Sequence, residues 1–425
     1  MGRAGDAIQT MKAVLIIILL WSLPTLLFPA TIIVGPKDPF QSLKIAITNA
    51  NKGDTILIKP GTYREGNIII KKSVTIIGEE YPVFDGENRY EIFTVQADNV
   101  TISGLRLKDT GTASMNDIAA IKVFGCKGIT ISGNILENTF FGIHFSNSRQ
   151  STIEGNVLES SATAEHEIGN GIHLWKCDKI TIRKNRIKGH RDGIYFEFVT
   201  NSLIDNNLSE ANIRYGLHFM FSHDDEYTNN SFINNGAGVS VMYTKGVKMT
   251  NNLFQHNWGP SSYGLLLKEI RDSFVTGNRF IENSTGIYME GSNRIIFKEN
   301  IFAENGYAVK LQASCDGNDF ERNNFSGNTF DISTNGSLVL NKINNNYWDR
   351  YEGYDLNGDN TGDIPHRPVS MYSMIVEQMP SAILLWRSFL VLLMDKAEKA
   401  IPAMTPENLK DDSPSMRPYD LNKKG

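Results

Sequence analysis

Residues 169–198 read GNGIHLWKCDKITIRKNRIKGHRDGIYFEF. This stretch holds one phrase twice, NGIHLWK and DGIYFEF, with Asn185 between the copies. Gly, an aliphatic residue, a polar or aromatic residue and a second apolar residue recur as FGIHFSN at 141, YGLHFMF at 215, AGVSVMY at 237, YGLLLKE at 263 and TGIYMEG at 285. YAVKLQA at 307 is a last copy with Ala in place of Gly. A companion Asn, followed two residues later by Leu, Ile or Phe, stands at Asn134, Asn156, Asn185, Asn206, Asn230, Asn252, Asn278, Asn300 and Asn323, most often 22 residues apart. A period of that size, without helical spacing and without the regular Leu of leucine-rich repeats, means a solenoid with one coil per repeat. Each coil reads as apolar alternation, turn, apolar alternation. The fold class expected is all-β, a right-handed parallel β-helix over 54–350.

The Asn is expected to bond to its counterpart on the next coil and to occupy a left-handed turn. The phrase Gly is expected at a similar corner. In the phrase, the first and third residues after Gly are apolar in every copy, so they face inward. The second residue then faces outward: His144, His173, Tyr195, His218, Ser240, Leu266, Tyr288 and Lys310. The fourth does too: Ser146, Trp175, Glu197, Met220, Met242, Lys268, Glu290 and Gln312. Length varies mainly just before this strand, in the inserts 160–170 and 257–263. Loops on a rigid scaffold are where function concentrates.

The chain has 425 residues and a formal net charge of −5, which gives no footprint for nucleic acid. Residues 1–30 read as an extension followed by an export signal: Lys12, an apolar run and a small residue near a cleavage point. Residues 31–53 read as an N-terminal cap, with PFQSLKIAITNANKG as an amphipathic helix over the open end of the stack. Three Cys is an odd number for an exported chain. Cys126 and Cys177 lie two coils apart, ~10 Å, too far for a disulfide, and read as buried thiols.

Three constellations stand out. The outward ladder carries imidazoles and a thioether within a few rungs: His144, His173, His218 and Met220, with His223 just after. His and Met suit copper, and the soft ligand favours Cu(I). The same face, with Trp175, Tyr195, Glu197, Met242 and His166 of the insert, also reads as a protein-contact surface. The second constellation is Asp355, Asn357, Asp359 and Asp363, which imitate a calcium loop but lack its bidentate Glu; an Asx-rich linker over 351–370 is the expected form. The third is a faint likeness of RIKGHRDG (186–193) to polygalacturonase motifs. Glu197 and Glu290 are four rungs apart, ~19 Å, too far for a glycosidase pair. A polysaccharide lyase, an epimerase-like enzyme or a carbohydrate binder is the alternative reading.

Residues 371–425 read as a docking tail: an apolar run over 382–394 containing Trp386 and Arg387, then an extended C-terminus. With NYWDRYEGYDLNGDNTGDIPHRP (346–368), LLWRSFLVLLMDKAEKAIPAMTPENL (384–409) and the His-bearing coils, the chain resembles the NosD family over about 31–416. These are exported accessory proteins of nitrous oxide reductase maturation. The resemblance implies a periplasmic β-helix working with an inner-membrane ABC transporter, a copper chaperone and the reductase, assisting assembly of its copper–sulfide cluster. Membrane contact would run through the transporter. It implies no catalytic residue, and it carries no motif for copper ligands.

Overall fold

The computed structural model describes residues 29–113, 117–161, 163–336, 340–401, 405–406 and 409–421. The expected export signal falls, but for its last two residues, outside them. Each coil supplies one short strand to each of three sheets, of 14, 12 and 13 strands. Neighbouring strands are parallel and in register, so like stacks on like: Ile143 on Ile172 on Ile194, and Phe145 on Leu174 on Phe196. The chain is an all-β parallel β-helix. Its interior is a set of side-chain columns, one of which runs Phe254, Phe280, Phe302, Phe325 and Trp348 at centroid spacings of 4.6, 5.0, 4.7 and 4.2 Å. Each such ring contributes about 1.5–3 kcal/mol by burial.

The polar corner is an asparagine ladder. Asn156 Oδ1 accepts from both the backbone N and Nδ2 of Asn134, each at 3.0 Å, and Asn156 donates in the same way to Asn185. The fourth member is Asn207, not Asn206. The expected position is off by one because Ser209 takes the inward place filled by Leu, Ile or Phe elsewhere, donating from Oγ to the Gly216 carbonyl at 2.8 Å. The left-handed backbone also falls one residue before the ladder Asn, at Gly133, Lys184, Asn206 and Glu299. A second ladder, five residues on, runs Asn212, Asn235, Asn257, Asn283, Asn305 and Asn328.

The phrase glycines do stack, but not for the expected reason. None has positive φ. A Cβ on Gly193 would lie 2.6 Å from the Gly216 carbonyl oxygen, and one on Gly216 would lie 2.8 Å from that of Gly238. Close approach of successive coils excludes a side chain there.

The stack begins before residue 54, since Thr31–Val34 pairs with Thr55–Ile58. Helix α1, Leu43–Asn49, is N-capped by Ser42 and buries Leu43, Ala46 and Ile47 over the first coils. The three cysteines are free and buried. In the linker, the Asp355 carboxylate accepts from the backbone N of Gly358, Asp359 and Asn360, and that of Asp363 accepts from Leu356 N. These oxygens are engaged by their own turn.

Beyond the linker lie α2 (Met371–Gln378), a 3-10 turn (Pro380–Leu385) and α3 (Phe389–Ala400). The apolar run is therefore two pieces, broken around Trp386–Ser388, with Arg387 in the left-handed region at φ 63°. The Trp386 ring sits 5.5 Å from Phe330 and 5.9 Å from Tyr372, so it fastens the helical segment to the last coils. Segment 409–421 returns along the last coil. Asp411 accepts from Asn346 N and Nδ2, ending the first ladder, and Ser415 N donates to Asn346 O at 2.9 Å.

Candidate functional site

The outer face of the 12-stranded sheet is built here from five successive strands: Phe141–Ser146, Ile172–Trp175, Asp192–Glu197, Tyr215–Met220 and Ala237–Met242. Register puts His144, His173, Tyr195, His218 and Ser240 in one column. The rings of His144 and His173 stack at 4.7 Å with 23° between planes, and those of His173 and Tyr195 at 4.7 Å with 24°. Tyr195 meets His218 edge-on at 5.1 Å.

The column was expected on an open exterior, but it is covered. His144 and His218 are only 5% and 7% exposed. Phe141 lies edge-on to His144 and His173, Tyr215 packs on His218 at 4.7 Å, and Tyr263 of the second insert stacks over Tyr215. Asn170, ending the first insert, contacts His173 Nδ1 through Nδ2 at 3.0 Å. Burial pushes His144 down to about 4 and His173 to about 3, so both rings are neutral near pH 7. Neutral imidazoles are the ligating form. In nearly parallel planes 4.7 Å apart, however, their nitrogens do not converge on one ion.

His218 joins a buried polar cluster instead. Asp192 is fully buried and receives Arg214 through Nε–Oδ1 at 3.0 Å and Nη2–Oδ2 at 2.7 Å, with His218 Nδ1 3.6 Å from Oδ2. Burial alone would raise the Asp192 carboxyl, but His218 and Arg214 hold it below its usual range. Arg214 was not singled out in the sequence; its signal was its place one coil above Asp192. His190 lies in the second ladder, where its backbone N donates to Asn212 Oδ1, and burial pushes its ring down to about 4. His223 bridges to Thr200 on the next side of the coil and does not join the column. His166 is exposed on the insert.

The next outward column is more open. Trp175, Glu197, Met220, Met242 and Lys268 are register partners and all half-buried. Tyr195 Oη lies 3.3 Å from Glu197 Oε2 and 3.7 Å from Met220 Sδ. Beside them runs a ridge that sequence reading missed. Phe198, Phe221 and Tyr243, all exposed, stack at 5.4 and 5.0 Å with 12° between planes. They share the left-handed turn that follows the strand on each coil, at φ 55°, 49° and 55°. Among the described residues no three His, Cys, Asp or Glu side chains form a group that could hold a metal ion.

The tail presents a different surface. Leu384 and Phe389 are 86% and 80% exposed, and Leu390, Leu392 and Leu393 are also exposed. Arg387 is exposed, whereas Trp386 is turned toward the solenoid.

Comparison with known proteins places this arrangement. The family described as "Periplasmic copper-binding protein (NosD)" matches residues 47–166 and 160–360. A protein of Pseudomonas aeruginosa named "Probable ABC transporter binding protein NosD" is 28% identical over 375 residues, covering 83% of this chain and 86% of that one. Among solved structures, PfbA, a surface adhesin of Streptococcus pneumoniae, aligns with a TM-score of 0.58 at 13% identity, over 69% of this chain and 88% of that chain. The Azotobacter vinelandii mannuronan C-5 epimerase AlgE6 A-module aligns with a TM-score of 0.51 at 14% identity, over 71% and 88%. At those identities the two structures share the β-helix fold with this chain and nothing more. The family match spans most of the solenoid, including every His-bearing coil, and the chain therefore belongs to the NosD family of periplasmic copper-binding proteins.

Proposed function

We propose that this protein is a periplasmic accessory factor that helps assemble the copper–sulfide cluster of nitrous oxide reductase. It works with an inner-membrane ABC transporter and a copper chaperone. Copper is its cargo, and it catalyses no reaction itself. The observation that carries the reading is the tail. The first half of helix α3, FLVLLM (389–394), is wholly apolar, yet Phe389, Leu390, Leu392 and Leu393 are exposed, and Leu384 of the preceding turn is exposed too. A contiguous exposed apolar patch of this kind marks an interaction site. Trp386 on Phe330 and the Glu377–Lys310 ion pair tie the helical segment to one end of the solenoid. The transporter is the partner proposed for this surface, in line with the name of the Pseudomonas aeruginosa relative.

The outer face of the 12-stranded sheet is proposed as the surface toward the copper chaperone or the reductase. It carries His144, His173, His218 and Met220, with Trp175, Tyr195, Glu197, Met242 and His166 beside them. The stacked rings make a rigid wall, and loops from two inserts frame it. A polysaccharide-acting enzyme has support from fold likeness alone. Release of unsaturated products from uronate polymers would favour it.

The test is co-purification of the full chain with its membrane-embedded transporter. Leu384→Glu with Phe389→Glu should abolish recovery of the complex and leave the thermal melt of the exported protein unchanged, because both side chains face solvent. Undiminished recovery would refute docking through the tail.

A further inference from the structure

The stacked imidazoles do not converge, which leaves open where a copper ion would meet this protein. The chemistry of the neighbouring column answers it. Glu197, Met220 and Met242 occupy one register position on three successive coils, about 4.8 Å apart. All three are half-buried, reachable from solvent yet flanked by apolar surface. Tyr195 Oη lies within 3.3 Å of the Glu197 carboxylate and 3.7 Å of the Met220 sulfur, so these two donor groups are already drawn to one point. Met242 is the next rung. Methionine has three rotatable side-chain bonds and a polarisable sulfur, so two thioethers one rung apart can swing onto one ion.

We infer that Met220 and Met242, with Glu197 beside them, form an open capture site for a single Cu(I) ion on the outer face of the sheet. Thioether sulfur selects soft Cu(I) over hard divalent cations, and the carboxylate supplies a compensating charge. The ridge of Phe198, Phe221 and Tyr243 walls one side with apolar ring edges. The buried His column on the other side is too rigid to supply two ligands to one ion. A site of two neutral thioethers and one carboxylate holds the ion without burying it. That suits an ion to be received from one partner and passed to another. No electron is transferred, since copper arrives and leaves as Cu(I).

This inference rests on the copper-handling reading above, and its test separates the two. The full exported chain is titrated anaerobically against Cu(I) held by bicinchoninate, and the copper X-ray absorption spectrum is recorded. Wild type should take one equivalent with sulfur in its first coordination sphere. Met220→Leu with Met242→Leu conserves volume and should weaken binding at least tenfold and remove the sulfur signal. His144→Ala with His173→Ala should change affinity less than threefold. If the double Leu variant binds as wild type does while the double Ala variant loses binding, the thioether site is overturned and copper handling stands. If wild type takes no Cu(I) from bicinchoninate, both fall.

Discussion

Asp411 terminates a hydrogen-bonded column that crosses most of the molecule, and its removal is the sharpest test of how the far end is held. Its Oδ2 accepts from Asn346 N at 2.8 Å, Asn346 Nδ2 at 3.2 Å and Trp348 Nε1 at 3.1 Å, and its Oδ1 accepts from Asn345 N at 3.0 Å. Asn346 Nδ2 has other acceptors in Phe320 O and Asn344 O. Asp411→Ala therefore orphans two buried donors, Asn346 N and Trp348 Nε1. Each costs about 1–3 kcal/mol, so the loss should be about 4 kcal/mol, limited by release of segment 409–421 to let water in. Asp411→Asn keeps one oxygen where Oδ2 stood and continues the ladder in its own chemistry. Burial already pushes the Asp411 carboxyl up, so a neutral amide sacrifices little charge stabilisation. A cost of about 1–2 kcal/mol is expected for Asn, because its Nδ2 replaces the Oδ1 that accepts from Asn345 N and Ser413 N, and both bonds pass to water. The assay is native-state hydrogen exchange on the last coils together with a urea melt. In the Ala variant, amides of 342–348 should lose protection while those of 172–197 keep it, because coils depend mainly on their neighbours. Equal behaviour of the Ala and Asn variants, or loss of protection throughout, would refute the reasoning.

Two further outcomes follow from the packing. Gly216→Ala should cost about 2–3 kcal/mol, because its Cβ would meet a backbone oxygen at 2.8 Å, as well as Phe232, and the backbone of the next coil cannot yield. Gly125→Ala, with positive φ but nothing within 4 Å, should cost only about 1 kcal/mol in a chemical melt, and a reversed order would refute the close-approach account. Burial raises the Asp225 carboxyl to about 8, so the folded protein keeps a proton there that the unfolded chain releases near pH 4. Stability should fall as pH rises from about 4 to 8. Asp225→Asn should flatten that slope in thermal melts, becoming the more stable form at pH 8; parallel slopes for the two proteins would argue against it.

The solenoid, its parallel register and its inward columns were legible from the chain alone. Apolar residues at the first and third places after Gly, repeated at a near-constant period, admit one solution in which each coil buries its own face against the next. The same repeat assigned His144, His173, Tyr195 and His218 to one outward column, and the spacing of Cys126 and Cys177 was enough to predict unpaired thiols. Reading failed where a local departure broke the phrase: Ser209 shifted the ladder from Asn206 to Asn207, and the glycines proved to be set by crowding between coils instead of by backbone sign. Whether an outward residue is exposed depends on what folds over it, and no repeat encodes that. Phe141 and Tyr215, each just before a phrase Gly, pack on the imidazoles, and Tyr263 of the second insert closes over Tyr215, leaving Met220 and Met242 half-buried beside them. Asp192 and Arg214 are 22 residues apart and meet only because stacking brings one coil over another. Tertiary structure likewise decided the tail, since Asp411 lies 65 residues from Asn346 in sequence and is its ladder partner in space. Periodicity reports what every coil shares; the site is made from what single coils do differently, and those differences acquire meaning only when the coils are stacked.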